Sequence, residues 1–74
     1  MENLEKLLGV EREIIENILK ESLGGAERNI IEKHYGLNGN ERLSMEEISK
    51  ELNISFEKVR EIELKGINKI KNLL

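Results

Sequence analysis

From Leu4 to Leu74 the apolar residues return at three- and four-residue intervals nearly throughout. That repeat belongs to helices buried along one stripe, not to strands. No proline interrupts it. The chain is thereby confined to the all-α class, as a small bundle of four to five helices ending in a helix-turn-helix. At 74 residues it is expected to form one domain over 1–74, with helices over about 10–36 leading to the motif at 44–72. A chain of this length buries only about 60% of its unfolded surface, so the core is slim.

The stripes can be read segment by segment. Leu4, Leu7 and Leu8 precede Gly9 and give one short turn of helix that caps the core. Ile14, Ile15, Ile18 and Leu19 mark a second helix from Val10 to Ser22, which Gly24-Gly25 breaks. Ile30, Ile31 and Tyr35 mark a third, and Gly36 stands where a left-handed C-cap is needed. The loop from Leu37 to Leu43 is rich in turn formers.

After the loop, Ser44-Met45-Glu46-Glu47 has the spacing of a capping box. Met45, Ile48 and Leu52 face inward from about two turns of helix, too short to persist alone. Asn53 tolerates the positive φ that turns the chain, Ile54 plugs the turn, and Ser55 caps the last helix. Val59, Ile62, Gly66, Ile67, Ile70, Leu73 and Leu74 continue its apolar face. Ser49 is small enough for two helices to cross closely, and Gly66 admits a neighbour despite its helix cost. A short capped helix, a three-residue turn with an apolar plug and a longer helix form a helix-turn-helix. Such a unit presents the N-terminal outer side of its second helix to the major groove.

Charge is unevenly placed. Residues 1–57 carry 7 Lys/Arg against 13 Glu, whereas residues 58–74 carry 5 Lys/Arg against 2 Glu. A basic segment on an acidic body suits a phosphate backbone, although lysines at a helix C-terminus also complement the dipole. On charge alone both readings stand. Cysteine is absent, which excludes a disulfide scaffold, a thiolate metal site and a cysteine nucleophile. His34 is the only imidazole and is expected on the surface beside Gly36. No enzyme, metal or cofactor is expected. Apolar runs never exceed two residues, so no membrane span or signal peptide is read. The expected address is the cytoplasm, near the nucleoid.

The segments AERNIIEKHYGL (Ala26 to Leu37) and SMEEISKELNISFEKVREIELKGINKIK (Ser44 to Lys71) resemble region 4 of the bacterial housekeeping-type sigma factors. The register runs ungapped from about Leu23 to Lys71. Tyr35-Gly36-Leu37, Glu46-Glu47-Ile48, Val59-Arg60 and Ile62-Glu63 all match the family pattern. The resemblance implies a domain that reads the promoter's −35 element in duplex DNA and docks on the β-subunit flap of RNA polymerase. A monomer is the favoured state. Glu57 matches a family glutamate that faces a base, which suits the cytosine amino group. Lys58, Arg60, Lys65 and Lys71 match basic positions that neutralise phosphates. Ser44 and the Met45 amide lie at a helix N-terminus that suits a phosphate. Tyr35, Ile67 and Ile70 match apolar positions of the flap-docking surface; the two isoleucines equally suit the core.

The departures from the pattern bear on DNA reading. Phe56 stands in place of the first reading arginine, and Glu61 in place of a glutamine. Glu61 opposes DNA unless it pairs with Arg60, Lys58 or Lys65. Ala26 and His34 replace arginines expected to reach the backbone, with Arg28, Lys33 and Arg42 nearby to compensate. Gly24 replaces a Ser or Thr cap. Leu64 projects outward from mid-helix, where it fits a protein contact as well as DNA. These residues also support an alternative function: a diverged interaction module that binds polymerase or another transcription protein without reading sequence.

Overall fold

A computed structural model describes residues 3–74. Among them run five α-helices and no strand: α1 Leu4–Leu8, α2 Arg12–Ser22, α3 Gly25–Tyr35, α4 Met45–Leu52 and α5 Phe56–Leu73. The all-α bundle read from the sequence is what forms. The one-domain expectation over 1–74 includes residues 1 and 2, which lie outside the described residues.

Local chemistry sets each boundary. Asn3 accepts the Glu5 amide at 2.8 Å and starts α1, and Gly9, at φ +70°, ends it in the left-handed region. Glu11 is extended and makes no side-chain cap, so α2 begins at Arg12, two residues later than the stripe suggested. Gly24 likewise supplies no side-chain cap to α3. At the other end Gly36, at φ +65°, passes its amide to the Glu32 carbonyl. The α4 capping box is complete: the Glu47 amide donates to Ser44 Oγ at 3.1 Å, and the Ser44 amide donates to Glu47 Oε1 at 2.9 Å. Asn53 takes φ +56°, and Ser55 Oγ accepts the Lys58 amide at 3.1 Å to open α5.

The core has two compartments, and α3 is the wall between them. Ile31 joins Leu4, Ile15, Leu19, Leu23, Leu37, Ile67 and Ile70 on one side. Its neighbour Ile30 joins Ile48 and Val59 on the other, with Leu43, Met45, Leu52, Ile54 and Ile62 packed around them. Adjacent residues on a helix point about 100° apart, so one dipeptide feeds both compartments. The long α5 spans both, through Val59 in one and Ile67 with Ile70 in the other. Each fully buried branched side chain contributes on the order of 1.5–3 kcal/mol.

The α3–α5 crossing is close because Gly66 lacks a side chain. A Cβ there would lie 2.5 Å from Ile31 Cδ1 and 3.4 Å from Glu27 Cβ. The α4–α5 turn is closed by Ser49 in a way its small size did not foretell. Its hydroxyl donates to the Ile54 carbonyl at 2.6 Å, while the Ile54 amide donates to the Ser49 carbonyl at 3.2 Å. Two bonds to one turn residue fix the angle between the helices.

The 37–43 loop is held by polar contacts. Asn38, at φ +51°, donates its amide to Glu16 at 2.8 Å and its side chain to Glu32 at 2.6 Å. Arg28 Nε completes the buried Glu32 carboxylate at 2.9 Å. The Asn38 amide holds the Glu16 carboxyl below the ordinary range, against the cost of desolvation.

Four apolar residues of the stripes are not buried. Leu7 is 61% exposed, and Ile14, Leu73 and Leu74 are also exposed. Leu7 therefore does not cap the core as expected; Leu4 alone of that helix is fully inside. The body ends before Leu73, so the last two leucines have nothing opposite them.

Candidate nucleic-acid interface

With Val59, Glu63, Gly66, Ile67 and Ile70 turned inward, the outer side of α5 carries Phe56, Glu57, Lys58, Arg60, Glu61, Leu64 and Lys65, all exposed. The first half of α5 thus leaves seven of the singled-out side chains exposed, spread over about half of its circumference, with Phe56 and Arg60 towards one edge and Lys58 and Lys65 towards the other. Lys71 is exposed as well, but eleven residues beyond Arg60 it lies roughly 16 Å further along the axis. There it complements the C-terminal dipole.

The cations on this face are partly engaged. Glu61 reaches Lys58 at 3.8 Å and Lys65 at 3.7 Å. Both pairs are solvent-exposed and long, so each is worth at most about 1 kcal/mol and exchanges readily for a phosphate. Arg60 makes no ion pair among the described residues. It borders a shallow depression of about 180 Å³ with Met45, Glu63 and Leu64.

At the start of α4, Ser44 is exposed, but its amide is committed to Glu47; the hydroxyl hydrogen is what it has left to offer a phosphate. The Met45 side chain is half-buried in the α4–α5 compartment, so its contribution there is limited to its amide. Bonding to the Ser44 amide and side chain keeps the Glu47 carboxyl below the ordinary range. Glu46 and Glu47 thus bring negative charge to the same turn.

Three expectations change. Ile67 and Ile70 are buried, the latter completely, so they fill the core and offer no surface to a docking partner. Only Tyr35 of that trio is partly exposed. It lines an open, largely apolar depression of about 320 Å³ with Asn3, Leu4, Lys6 and Leu7. Arg28 and Lys33, named to compensate for lost backbone contacts, are not free cations: Arg28 is paired with Glu32 and Lys33 with Glu51.

His34 is the third correction. It is not a surface residue: its side chain is 13% exposed and Nδ1 lies 2.5 Å from Glu63 Oε2. Tyr35 stacks at an angle on the imidazole, with ring centroids 4.5 Å apart, and its hydroxyl donates to Glu63 Oε1 at 3.4 Å. This largely buried cluster joins α3 to α5. A signal existed in the sequence. Glu63 lies four residues from Val59 and from Ile67, on the inward stripe, and a carboxylate placed there needs a partner.

Among the described residues no three His, Cys, Asp or Glu side chains converge to hold a metal ion. No described helix is long and apolar enough to cross a membrane.

A family model described as sigma-70, region 4 matches residues 19–72. The RNA polymerase sigma factor SigA1 of Synechococcus elongatus is 32% identical over 69 residues, covering 84% of this chain and 17% of that protein. The sigma factor SigA of Microcystis aeruginosa is 34% identical over 61 residues, covering 82% and 14%. The sigma factor sigA of Arabidopsis thaliana is 36% identical over 61 residues, covering 82% and 12%. The chain therefore spans less than a fifth of the length of these relatives. No solved structure gives a significant match.

Proposed function

The chain belongs to the sigma-70 region 4 family, and on that premise we propose that it binds duplex promoter DNA as the −35-reading domain of an RNA polymerase sigma factor. It is a binding domain with no catalytic step, acting in the cytoplasm at the nucleoid. The observation that carries the reading is the exposed outer side of α5, where Lys58, Arg60 and Lys65 project from the second helix of a helix-turn-helix. In the major groove, Glu57 accepts from a cytosine amino group, and the three cations meet phosphates and set affinity. The Ser44 hydroxyl donates to a phosphate at the edge of the site. Lys71 reaches the backbone only where the DNA continues past the first half of α5.

Docking on the polymerase β flap is the second part of the proposal. Since Ile67 and Ile70 are buried, the flap is assigned to the depression that Tyr35 shares with Leu4 and Leu7. Exposed Leu7 and partly exposed Tyr35 beside a concave surface suit an apolar segment of a partner.

The rival is an interaction module that keeps the scaffold and has given up sequence reading. Exposed Phe56 and Leu64, and Glu61 between two lysines, favour it. Fluorescence anisotropy across a salt series separates the two. Three phosphate contacts give a log–log salt slope of about −2.7, or about a 40-fold loss between ~50 and ~200 mM salt. Arg60→Ala weakens binding alike on all sequences and makes the slope shallower, whereas Glu57→Ala changes base preference. No binding to any duplex at low salt hands the assignment to the rival.

A further inference from the structure

Phe56 is the one aromatic ring of α5. It is 39% exposed and belongs to neither core compartment. It sits in the first turn, beside the Ser55 cap that fixes the helix start. Arg60, one turn on, is about 6 Å further along the axis, or about two base steps. If the outer side of α5 enters the major groove, Phe56 leads.

A phenyl ring has no donor or acceptor. Placed over guanine O6 and N7, or over the adenine or cytosine amino group, it strips water from a polar atom and returns nothing. The thymine 5-methyl is the one apolar group on a major-groove base edge. Glu57, the next residue, adds to the discrimination, because a carboxylate only accepts hydrogen bonds. It repels the two acceptors of guanine and suits the amino donor of cytosine.

From this pairing we propose that Phe56 makes the domain selective for thymine at the base step facing the start of α5, through the 5-methyl group. This rests on the groove placement of α5 given under the proposed function. The duplex it prefers carries a pyrimidine step there, thymine under Phe56 and cytosine under Glu57.

Deoxyuridine tests this, since it differs from thymidine only in lacking the methyl. A preferred duplex is first selected from a randomised pool with the 74-residue chain, and each thymine in it is then replaced singly by deoxyuridine. At one position the wild-type chain should lose about 3- to 5-fold in affinity, the worth of burying one methyl. Phe56→Ala should bind the thymine and uracil duplexes equally, and Phe56→Arg should select guanine at that step. Because Phe56 lies outside the core, both variants should keep wild-type helicity by circular dichroism.

Duplex binding that is indifferent to every deoxyuridine overturns the thymine assignment and leaves the groove placement standing. So does a deoxyuridine penalty that persists undiminished in Phe56→Ala. Failure of the wild-type chain to bind any duplex overturns the groove placement and the thymine assignment together.

Discussion

Gly66→Ala probes the crossing that holds α5 in place. In an exposed helix the change would stabilise by about 1 kcal/mol through propensity alone. Here the new Cβ would lie 2.5 Å from Ile31 Cδ1, against a normal carbon–carbon contact of about 3.5–4.0 Å. One of the two atoms must therefore retreat by about an ångström or more. Ile31 is fully buried among Ile15, Leu19, Ile67 and Ile70, so its methyl has no open space to enter. Overpacking of this kind costs about 1–3 kcal/mol. Set against the propensity gain, the net expectation is a destabilisation of about 1 kcal/mol, with an upper end of about 2 kcal/mol.

Ile31→Val removes the clashing atom and alone costs about 0.5–1.5 kcal/mol. In that background Gly66→Ala should become neutral or stabilising, giving a coupling of about 1–3 kcal/mol between the two sites. Urea denaturation of the four proteins, followed by circular dichroism, completes the cycle. If Gly66→Ala stabilises the wild-type chain by about 1 kcal/mol and the changes are additive, α3 and α5 are not in contact at Gly66. The angle at which α5 is presented would then be wrong as well.

The other expectations concern the faces of the domain. Glu61→Gln removes the carboxylate between Lys58 and Lys65; low-salt anisotropy should show tighter duplex binding by several-fold and a salt slope steeper by about one contact. Glu47 has a lowered pKa when folded, so its ionised cap stabilises above the ordinary glutamate range, and that stability is lost as pH falls through the lowered value. Urea melts of wild type and Glu47→Gln should accordingly differ at neutral pH and converge in acid. Leu7→Asp, at an exposed position, should abolish capture of a polymerase β-flap fragment while leaving stability and duplex binding unchanged.

Much of the fold was legible because the caps and breakers are local. Gly36, Asn53, Ser44 and Ser55 do in three dimensions what their chemistry demands within four residues of themselves. Partnership across helices was not legible to the same degree. Periodicity identifies the apolar side of a helix but not what lies opposite it, so Leu7, Ile14, Leu73 and Leu74 sat on correct stripes that extend past the body. The family resemblance put Ile67 and Ile70 on a docking surface while periodicity suited them equally to the core, and the core is where they lie. His34 was misplaced because its partner Glu63 is 29 residues away. An inward carboxylate was the available clue, and it names no partner. On the DNA side, Arg60, Lys58 and Lys65 all stood within reach of Glu61 along the chain, and the geometry selects Lys58 and Lys65.

Amide chemical-shift mapping during titration with duplex DNA at low salt tests the central claim most directly. The amides from Phe56 to Lys65 and those at the start of α4 should move together, while α1 and the exposed side of α2 stay still. Shifts confined to the region around Leu7 and Tyr35, or no shifts anywhere at saturating duplex, would contradict it.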